Sequence, residues 1–314
     1  MFRFAIIGAG GIAHKFCDAV RLAGHEVAAV ASKSAERAAE FAAKENIAYS
    51  FGDYAEMLDS VRPDAVYIAT THNFHYDNIL LCVERGLPVI CEKPMVLTAE
   101  EARRVFDAAT KRGVFVMEAM WSRFLPQIKR AREWICDGRI GKPELMDSIV
   151  AFRSDYNPDS RIYSRELAGG AAWDVGVYAY ELATYLIGEH PLEMQSMRLD
   201  APNGADRTVS VNLRFSDCLA TVKASVYTPL PLGVYIGGHD GYIRMPHANT
   251  GCEGFLYDSG GSLVEHFREE YPNGFLWEVE ETVRCVREGR LESPVVPWAD
   301  TLNCAEFFDF VLSR

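Results

Sequence analysis

Three short segments of this chain combine residue types able to do chemistry with a spacing that could bring it about. Gly8-Ala-Gly10-Gly11-Ile12-Ala13 closes the apolar run Phe2–Ile7 and opens the run Ile12–Leu22, so the glycines stand where a buried strand would pass into a helix. Gly8 permits a tight turn, Gly10 lets a pyrophosphate approach the backbone, and Ala13 is small enough for a helix to lie close on its strand. Such an anion would sit on the unsatisfied N–H groups of the helix start, around Gly11 and Ile12, where the macrodipole favours negative charge. A ligand-free structural turn would carry a similar pattern.

The second segment is Ser32-Lys33-Ser34, with Arg37 one helical turn on, at the end of the apolar run Glu26–Ala31. A dinucleotide site for NAD places an acid there to bind the ribose 2′-hydroxyl. Two cations and two hydroxyls suit a 2′-phosphate instead, through charge-assisted hydrogen bonds. Solvated residues at a helix start are the plain alternative. The third segment is Lys93, held between Glu92 and Pro94 where the apolar run Leu87–Cys91 ends. Open α/β sheets build their sites at the carboxyl ends of such strands.

Strands and helices alternate through the first part of the chain. Short apolar runs at Glu26–Ala31, Asp64–Ala69, Leu87–Cys91 and Val114–Met117 predict buried strands, and helices are predicted at Ala35–Glu45, Tyr54–Leu58, Asn73–Glu84 and Ala99–Arg112. Thr98 with Glu101 forms a capping box for the last helix, and Gly113 stops it. This rhythm is that of a parallel sheet covered on both faces. After about residue 120 it changes. A helix at Ile128–Asp137 is followed by a strand-rich stretch from Glu144–Phe152 onward. Predicted hairpins pair Val209–Phe215 with Leu219–Val226, and Tyr235–Gly238 with Tyr242–Met245. Helices at Phe275–Glu288 and Ala299–Leu312 finish the chain. The expected fold class is therefore α/β: a Rossmann doubly wound parallel sheet over residues 1–120, then an α+β domain over 121–314 with an open, mainly antiparallel sheet. An open sheet face calls for cover, which a second copy of the chain could supply.

Composition narrows the class further. With 314 residues, 49% hydrophobic and 24% charged, the chain reads as a two-domain globular enzyme. A net charge of −12 argues against a nucleic-acid surface, which needs excess cations. No apolar run would span a bilayer and no signal-peptide pattern opens the chain, so no membrane partner is expected. The eight cysteines lie far apart, with no spacing suited to zinc, so no metal is expected and a reducing, cytoplasmic setting is.

The ordered set Gly8-x-Gly10-x-x-Ala13, Thr71-His72-Asn73-Phe74-His75, Glu92-Lys93-Pro94 and Gly169-Gly170-Ala-Ala-Trp-Asp174-Val-Gly176-Val-Tyr178 resembles the Gfo/Idh/MocA oxidoreductases over nearly the whole chain. Met117-Glu-Ala-Met-Trp121-Ser-Arg123-Phe-Leu-Pro126, together with a tyrosine at 178 where many members carry histidine, is similar to the dimeric dihydrodiol dehydrogenases and NADP-dependent D-xylose 1-dehydrogenases.

The resemblance implies hydride transfer with a nicotinamide cofactor, NADP more than NAD, on a sugar or cyclic diol. Lys93 is then aimed at the substrate oxygen across an unusual, cis Lys93–Pro94 bond. Tyr178 becomes the general acid or base, because a neighbouring ammonium favours the phenolate over a phenol whose ordinary pKa is near 10. Asp174 binds a substrate hydroxyl or holds Lys93. Thr70, Asn73, His75 and Glu92 join the cofactor side; Trp121 and Arg123 do so as well, and Trp121 and Phe152 offer an aromatic wall to the substrate. From pattern alone Tyr178 is a core residue on an apolar helix, as Tyr180 and Tyr185 are expected to be, and Trp298 is a packing residue. A NAD-dependent sugar-alcohol dehydrogenase of the same fold, or a non-catalytic NADP sensor, remain the alternatives.

Overall fold

The computed structural model describes residues 1–313. They form two compact units, Met1–Trp121 with Asn273–Leu302, and Ser122–Pro272 with the residues from Asn303 on.

The first unit is built on six parallel strands: β1 (Arg3–Ile7), β2 (Glu26–Ala31), β3 (Tyr49–Phe51), β4 (Ala65–Ile68), β5 (Val89–Glu92) and β6 (Val116–Ala119). Their order is β3-β2-β1-β4-β5-β6, the doubly wound order in which the progression of strands reverses between β1 and β4. Every residue of β4, β5 and β6 is buried, as strands covered on both faces require. The connecting helices are α1 (Gly11–Leu22), α2 (Ala35–Glu45), α3 (Tyr54–Val61), α4 (His75–Glu84) and α5 (Ala99–Arg112). The capping box at α5 forms: Thr98 Oγ1 accepts the Glu101 N–H at 3.2 Å, and the Glu101 carboxylate accepts the Leu97 N–H at 2.8 Å. Gly113 then ends the helix in the left-handed region at φ 66°. Sequence pattern misses β3, a three-residue edge strand that is largely exposed and so has no apolar signature.

The second unit carries α6 (Pro126–Cys136), β7 (Pro143–Ala151), α7 (Val177–Ile187), β8 (Glu193–Asp200), β9 (Asp206–Arg214), β10 (Leu219–Ser225), β11 (Gly233–Gly238), β12 (Gly241–Pro246), β13 (Glu253–Asp258) and β14 (Leu263–Arg268). The strands form one sheet in the order β14-β13-β12-β11-β7-β10-β9-β8. All neighbours are antiparallel except β7 and β10, which run parallel. Both predicted hairpins are present, as β9–β10 and β11–β12. The strands β8, β13 and β14 escape pattern reading because at least half of each faces outward and alternates with polar residues. One sheet face packs under α6 and α7 through Val150, Val211, Val222, Ile236, Ile243 and Leu256, all buried. The other face carries Met197, Tyr235, Tyr242 and the Tyr242–Tyr257 ring stack, and its four named apolar residues are solvent-exposed or stacked at the surface.

Two helices close the chain, α8 (Leu276–Arg287) and α9 (Trp298–Leu312). The stretch Asn273–Leu302 was expected with the second domain and packs instead with the first. Asn273 donates to the Lys15 carbonyl at 2.8 Å, and Trp298 donates to the Val116 carbonyl at 2.8 Å while stacking on Phe106. These tertiary bonds are invisible to a reading of local periodicity.

Candidate active site

The loops at the carboxyl edge of the parallel sheet gather most of the first unit's chemistry-bearing residues. Gly8 follows β1 with φ 107°, and a Cβ there would stand 2.7 Å from the Ala69 carbonyl after β4. Only glycine meets both demands. Gly10 is the N-cap of α1 and has no side chain to occupy the helix N–H groups; the first turn of α1 holds no acid. Beyond Gly11 the space is open, with no atom within 4 Å of an added Cβ. This is an anion cradle on a twelve-residue helix. Ala13 is wholly buried, in keeping with close packing of helix on strand.

After β2, Lys33 and Arg37 are exposed and Ser32 is buried. The Lys33 ammonium lies 3.7 Å above the Phe74 ring. Ser34 is committed elsewhere: its hydroxyl caps α2 by accepting the Arg37 N–H at 3.2 Å and donates to Glu36 at 2.8 Å. After β4, Thr71 donates to Asn73 Oδ1 at 2.8 Å, and Asn78 donates to Thr70 Oγ1 at 3.2 Å. His75 is fully buried, with Nδ1 2.8 Å from the Pro94 carbonyl and Nε2 3.0 Å from the Thr70 carbonyl. It ties the loop after β4 to the loop after β5 rather than facing a ligand. Burial holds its pKa below the ordinary imidazole value.

The Lys93–Pro94 peptide is cis. Lys93 is half-buried and is followed by a clamped backbone, for Met95 N–H donates to Glu118 at 2.9 Å and Thr301 donates to the same carboxylate at 2.9 Å. Glu92, just before the lysine, is buried and accepts the Tyr67 hydroxyl. Burial raises its pKa, against the pull of that hydrogen bond and of Lys93. Beside it lies Glu278 of α8, wholly buried, with both carboxyl oxygens lacking a hydrogen-bond partner. Desolvation first and the Glu92 charge second push the Glu278 carboxyl well above its ordinary range. Trp121 is half-buried after β6, with its ring 5.3 Å from that of Phe275.

Asp174 and Tyr178 belong to the second unit, at a helix start that is not a regular α-turn. Residues Ala172–Gly176 form a π-turn, in which the Val177 N–H bonds the Ala172 carbonyl five residues back, and α7 follows at once. The sequence reading expected Asp174 and Tyr178 to stand one α-turn apart; they flank the junction of a wider turn. Such π-turns recur at functional sites. Asp174 is buried and its Oδ1 receives Arg161 at 3.1 Å. Tyr178 is 9% exposed. The start of the turn is fastened by Asp206, whose Oδ2 accepts the Ala172 N–H at 2.6 Å. Burial pushes the Asp206 carboxyl up to about 6. Phe152 stands half-buried just past β7, its N–H bonded to the Ser225 carbonyl at 2.9 Å. Arg123 is wholly buried and paired with Glu181, also in this unit. Tyr180 stacks on Phe307 as a core residue.

Arg161, Asp206, Glu118 and Glu278 are absent from the sequence reading. Only Glu118 lies in a quoted segment, Met117–Pro126, where it was given no role, and each reaches the reactive residues of its own unit through a long-range fold contact. The donor set at the sheet edge fits a nicotinamide dinucleotide: an uncapped helix start for the pyrophosphate, and Ser32, Lys33 and Arg37 at the end of β2 for the adenosine ribose.

Comparison with known proteins agrees. Residues 2–120 match the oxidoreductase family with an NAD-binding Rossmann fold, and residues 128–244 match the GFO/IDH/MocA C-terminal domain. The chain is 32% identical to the trans-1,2-dihydrobenzene-1,2-diol dehydrogenase of Mus musculus, over 98% of its own length and 95% of the relative's. It is 29% identical to the D-xylose 1-dehydrogenase (NADP(+)) of Hypocrea jecorina, over 99% and 91% of the two lengths. The fold matches the crystal structure of an aldose-aldose oxidoreductase from Caulobacter crescentus with a TM-score of 0.89 at 23% identity, covering 98% of this chain and 96% of that one. A glycine turn on a doubly wound sheet, a lysine at the end of β5 and two matching family domains together make this chain a member of the Gfo/Idh/MocA oxidoreductase family.

Proposed function

We propose that the chain is an NADP-dependent dehydrogenase or reductase acting on a sugar or a cyclic diol, with Lys93, Tyr178 and Asp174 as its catalytic residues. The bound nicotinamide supplies hydride chemistry, and the protein's task is to orient the reacting carbon and move one proton at its oxygen. Lys93 donates a hydrogen bond to that oxygen. Tyr178 takes the hydroxyl proton when an alcohol is oxidised and returns it when a carbonyl is reduced. Asp174, ion-paired with Arg161, accepts from a neighbouring substrate hydroxyl. Trp121 and Phe152 pack against the apolar face of the ring.

The observation that carries this reading is the gathering of Gly8–Gly11, Ser32-Lys33 and Lys93 along one edge of a single sheet. The NADP(+) and diol specificities of the relatives named above support the substrate and cofactor classes. A second reading, NAD use, is favoured by Glu36, a carboxylate in the same turn as Ser34. We also propose a homodimer through the outer face of the eight-stranded sheet, where exposed Tyr235 and Tyr242 await cover. A cytoplasmic setting agrees with eight free cysteines.

The test is turnover of NADP+ and NAD+ with D-xylose, other aldoses, polyols and trans-dihydrodiols. Faster reduction of NADP+ with one of these classes, lost in Lys93→Met and in Tyr178→Phe, is the expected result. Cofactor binding without turnover of any substrate would mark a sensor instead, and native turnover in Tyr178→Phe would remove the phenol from the mechanism.

A further inference from the structure

We infer that Asp206 is a positioning residue for the reaction, holding the π-turn that presents Asp174 and Tyr178 by accepting the Ala172 N–H; this rests on the catalytic roles proposed above. Ala172 opens the turn, and an N–H in a first helical turn has no acceptor within its own helix. Asp206, at the head of β9, supplies one at 2.6 Å from a carboxylate that is only 3% exposed. A charge-assisted bond of this kind is roughly twice as strong as a neutral one, and an anion at a helix start is favoured by the dipole.

The surrounding backbone is shaped around that carboxylate. Gly170 has φ 135°, and a Cβ there would be driven into Asp206 Oδ1. At Gly169 a Cβ would stand 2.7 Å from the Ile162 carbonyl and collide with that of Arg161. Arg161 in turn reaches Asp174. Two adjacent glycines therefore let the chain pass between the Arg161 backbone and the Asp206 carboxylate, and Asp174 follows four residues after Gly170. At the other end of the turn, Gly176 lies against β10, where its Cβ would stand 3.7 Å from that of Ala224. The turn is held at both ends: at its close by packing, and at its start by the buried Asp206 acceptor beside the backbone bond from Asp174 N–H to the Gly170 carbonyl at 3.1 Å. Removing the acceptor leaves the start of the turn to the backbone bond from Asp174 N–H to Gly170, so Asp174 and Tyr178 are held less firmly while the dinucleotide cradle of the other unit is untouched.

The experiment compares the full chain with Asp206→Ala, Asp206→Asn, Asp206→Glu and Tyr178→Phe. Turnover is read with NADP+ and D-xylose, or with whichever aldose or polyol the panel above shows to react fastest; cofactor affinity is read by NADPH fluorescence. In Asp206→Ala, kcat is expected to fall by about 10- to 100-fold, the loss of one hydrogen bond to a charged group, with NADPH affinity kept within about twofold. Asp206→Asn, whose amide oxygen still accepts from Ala172, is expected to recover most of that loss. Should Asp206→Ala fail to fold, Asp206→Glu keeps the charge but displaces the acceptor by one methylene, and the same fall in kcat is expected. Folded Ala or Glu variants with native kcat, or a matching loss of NADPH affinity, would overturn the inference. A dead Tyr178→Phe beside a native Asp206→Ala removes the positioning role alone; an active Tyr178→Phe removes the catalytic reading beneath it.

Discussion

The loop that carries Lys93 and the turn that carries Asp174 and Tyr178 are held by the same device in two different settings. In each, a buried carboxylate accepts a backbone N–H two residues from a reactive side chain: Glu118 from Met95, and Asp206 from Ala172. Glu118 has further support, since Thr301 occupies its other oxygen and His75 bonds the Pro94 carbonyl beside it. Asp206 is buried to the same degree, and burial pushes its carboxyl up to about 6. The difference follows from where each site residue sits. A lysine at the end of a parallel strand inherits its place from the sheet, and the added bonds refine it. A tyrosine eight residues past a pair of glycines has no sheet to inherit from, so the side-chain acceptor does more of the work.

The largest effect that bears on this comparison is chemical. Lys93→Met should lower kcat by about 10²- to 10⁴-fold, measured as reduced-nicotinamide absorbance, while thermal unfolding barely moves. A mild loss would mean that the sheet edge positions a residue with no part in the reaction.

Next in size is the pH dependence that Asp206 imposes on stability. Its folded pKa of about 6 lies above the ordinary carboxylate value of 3.8, so the folded state binds more protons between the two. Stability from this group is present at low pH and is lost as pH rises from about 4 through about 6, by roughly 3 kcal/mol in total. Asp206→Asn should flatten that part of a denaturant-midpoint profile; an unchanged profile would show the carboxyl to be better solvated than its burial indicates. Glu278 carries the same sign, with stability declining as pH climbs above the carboxylate range.

Glu118→Ala should cost about 1–3 kcal/mol, because it strands the Met95 N–H and the Thr301 hydroxyl, and urea titration measures it. An effect below that range would break the parallel between the two clamps. The smallest effect on folding belongs to the outer sheet face. Tyr242→Ser should change monomer stability by less than about 1 kcal/mol, since the ring is 39% exposed, yet it should weaken self-association in sedimentation analysis.

Most of the first unit was legible in the chain itself. Its strands are apolar runs buried on both faces, its helices start at Ser34, Asp53 and Thr98, and the glycine turn declares its own geometry. The second unit was legible where hairpins announce themselves and opaque where a strand has one wet face, as in β8 and β14. Among the site residues, the motif positions were readable. His75 and Arg123 were assigned to the cofactor side, yet the fold buries both completely, one between two backbone carbonyls and the other against Glu181.

What the residues determined by themselves is local: glycine where φ is positive or backbones nearly touch, a capping serine or threonine at a helix start, and an apolar run where a strand is covered. These depend on the conformational limits of a residue and its near neighbours. Tertiary structure alone decided that residues 273–302 return to the first unit, that the turn after Gly170 is π rather than α, and that Glu118, Asp206 and Glu278 lie buried beside the reactive groups. A carboxylate's burial and partners come from chain segments far away in sequence, and a pattern with a reach of a few residues has no access to them.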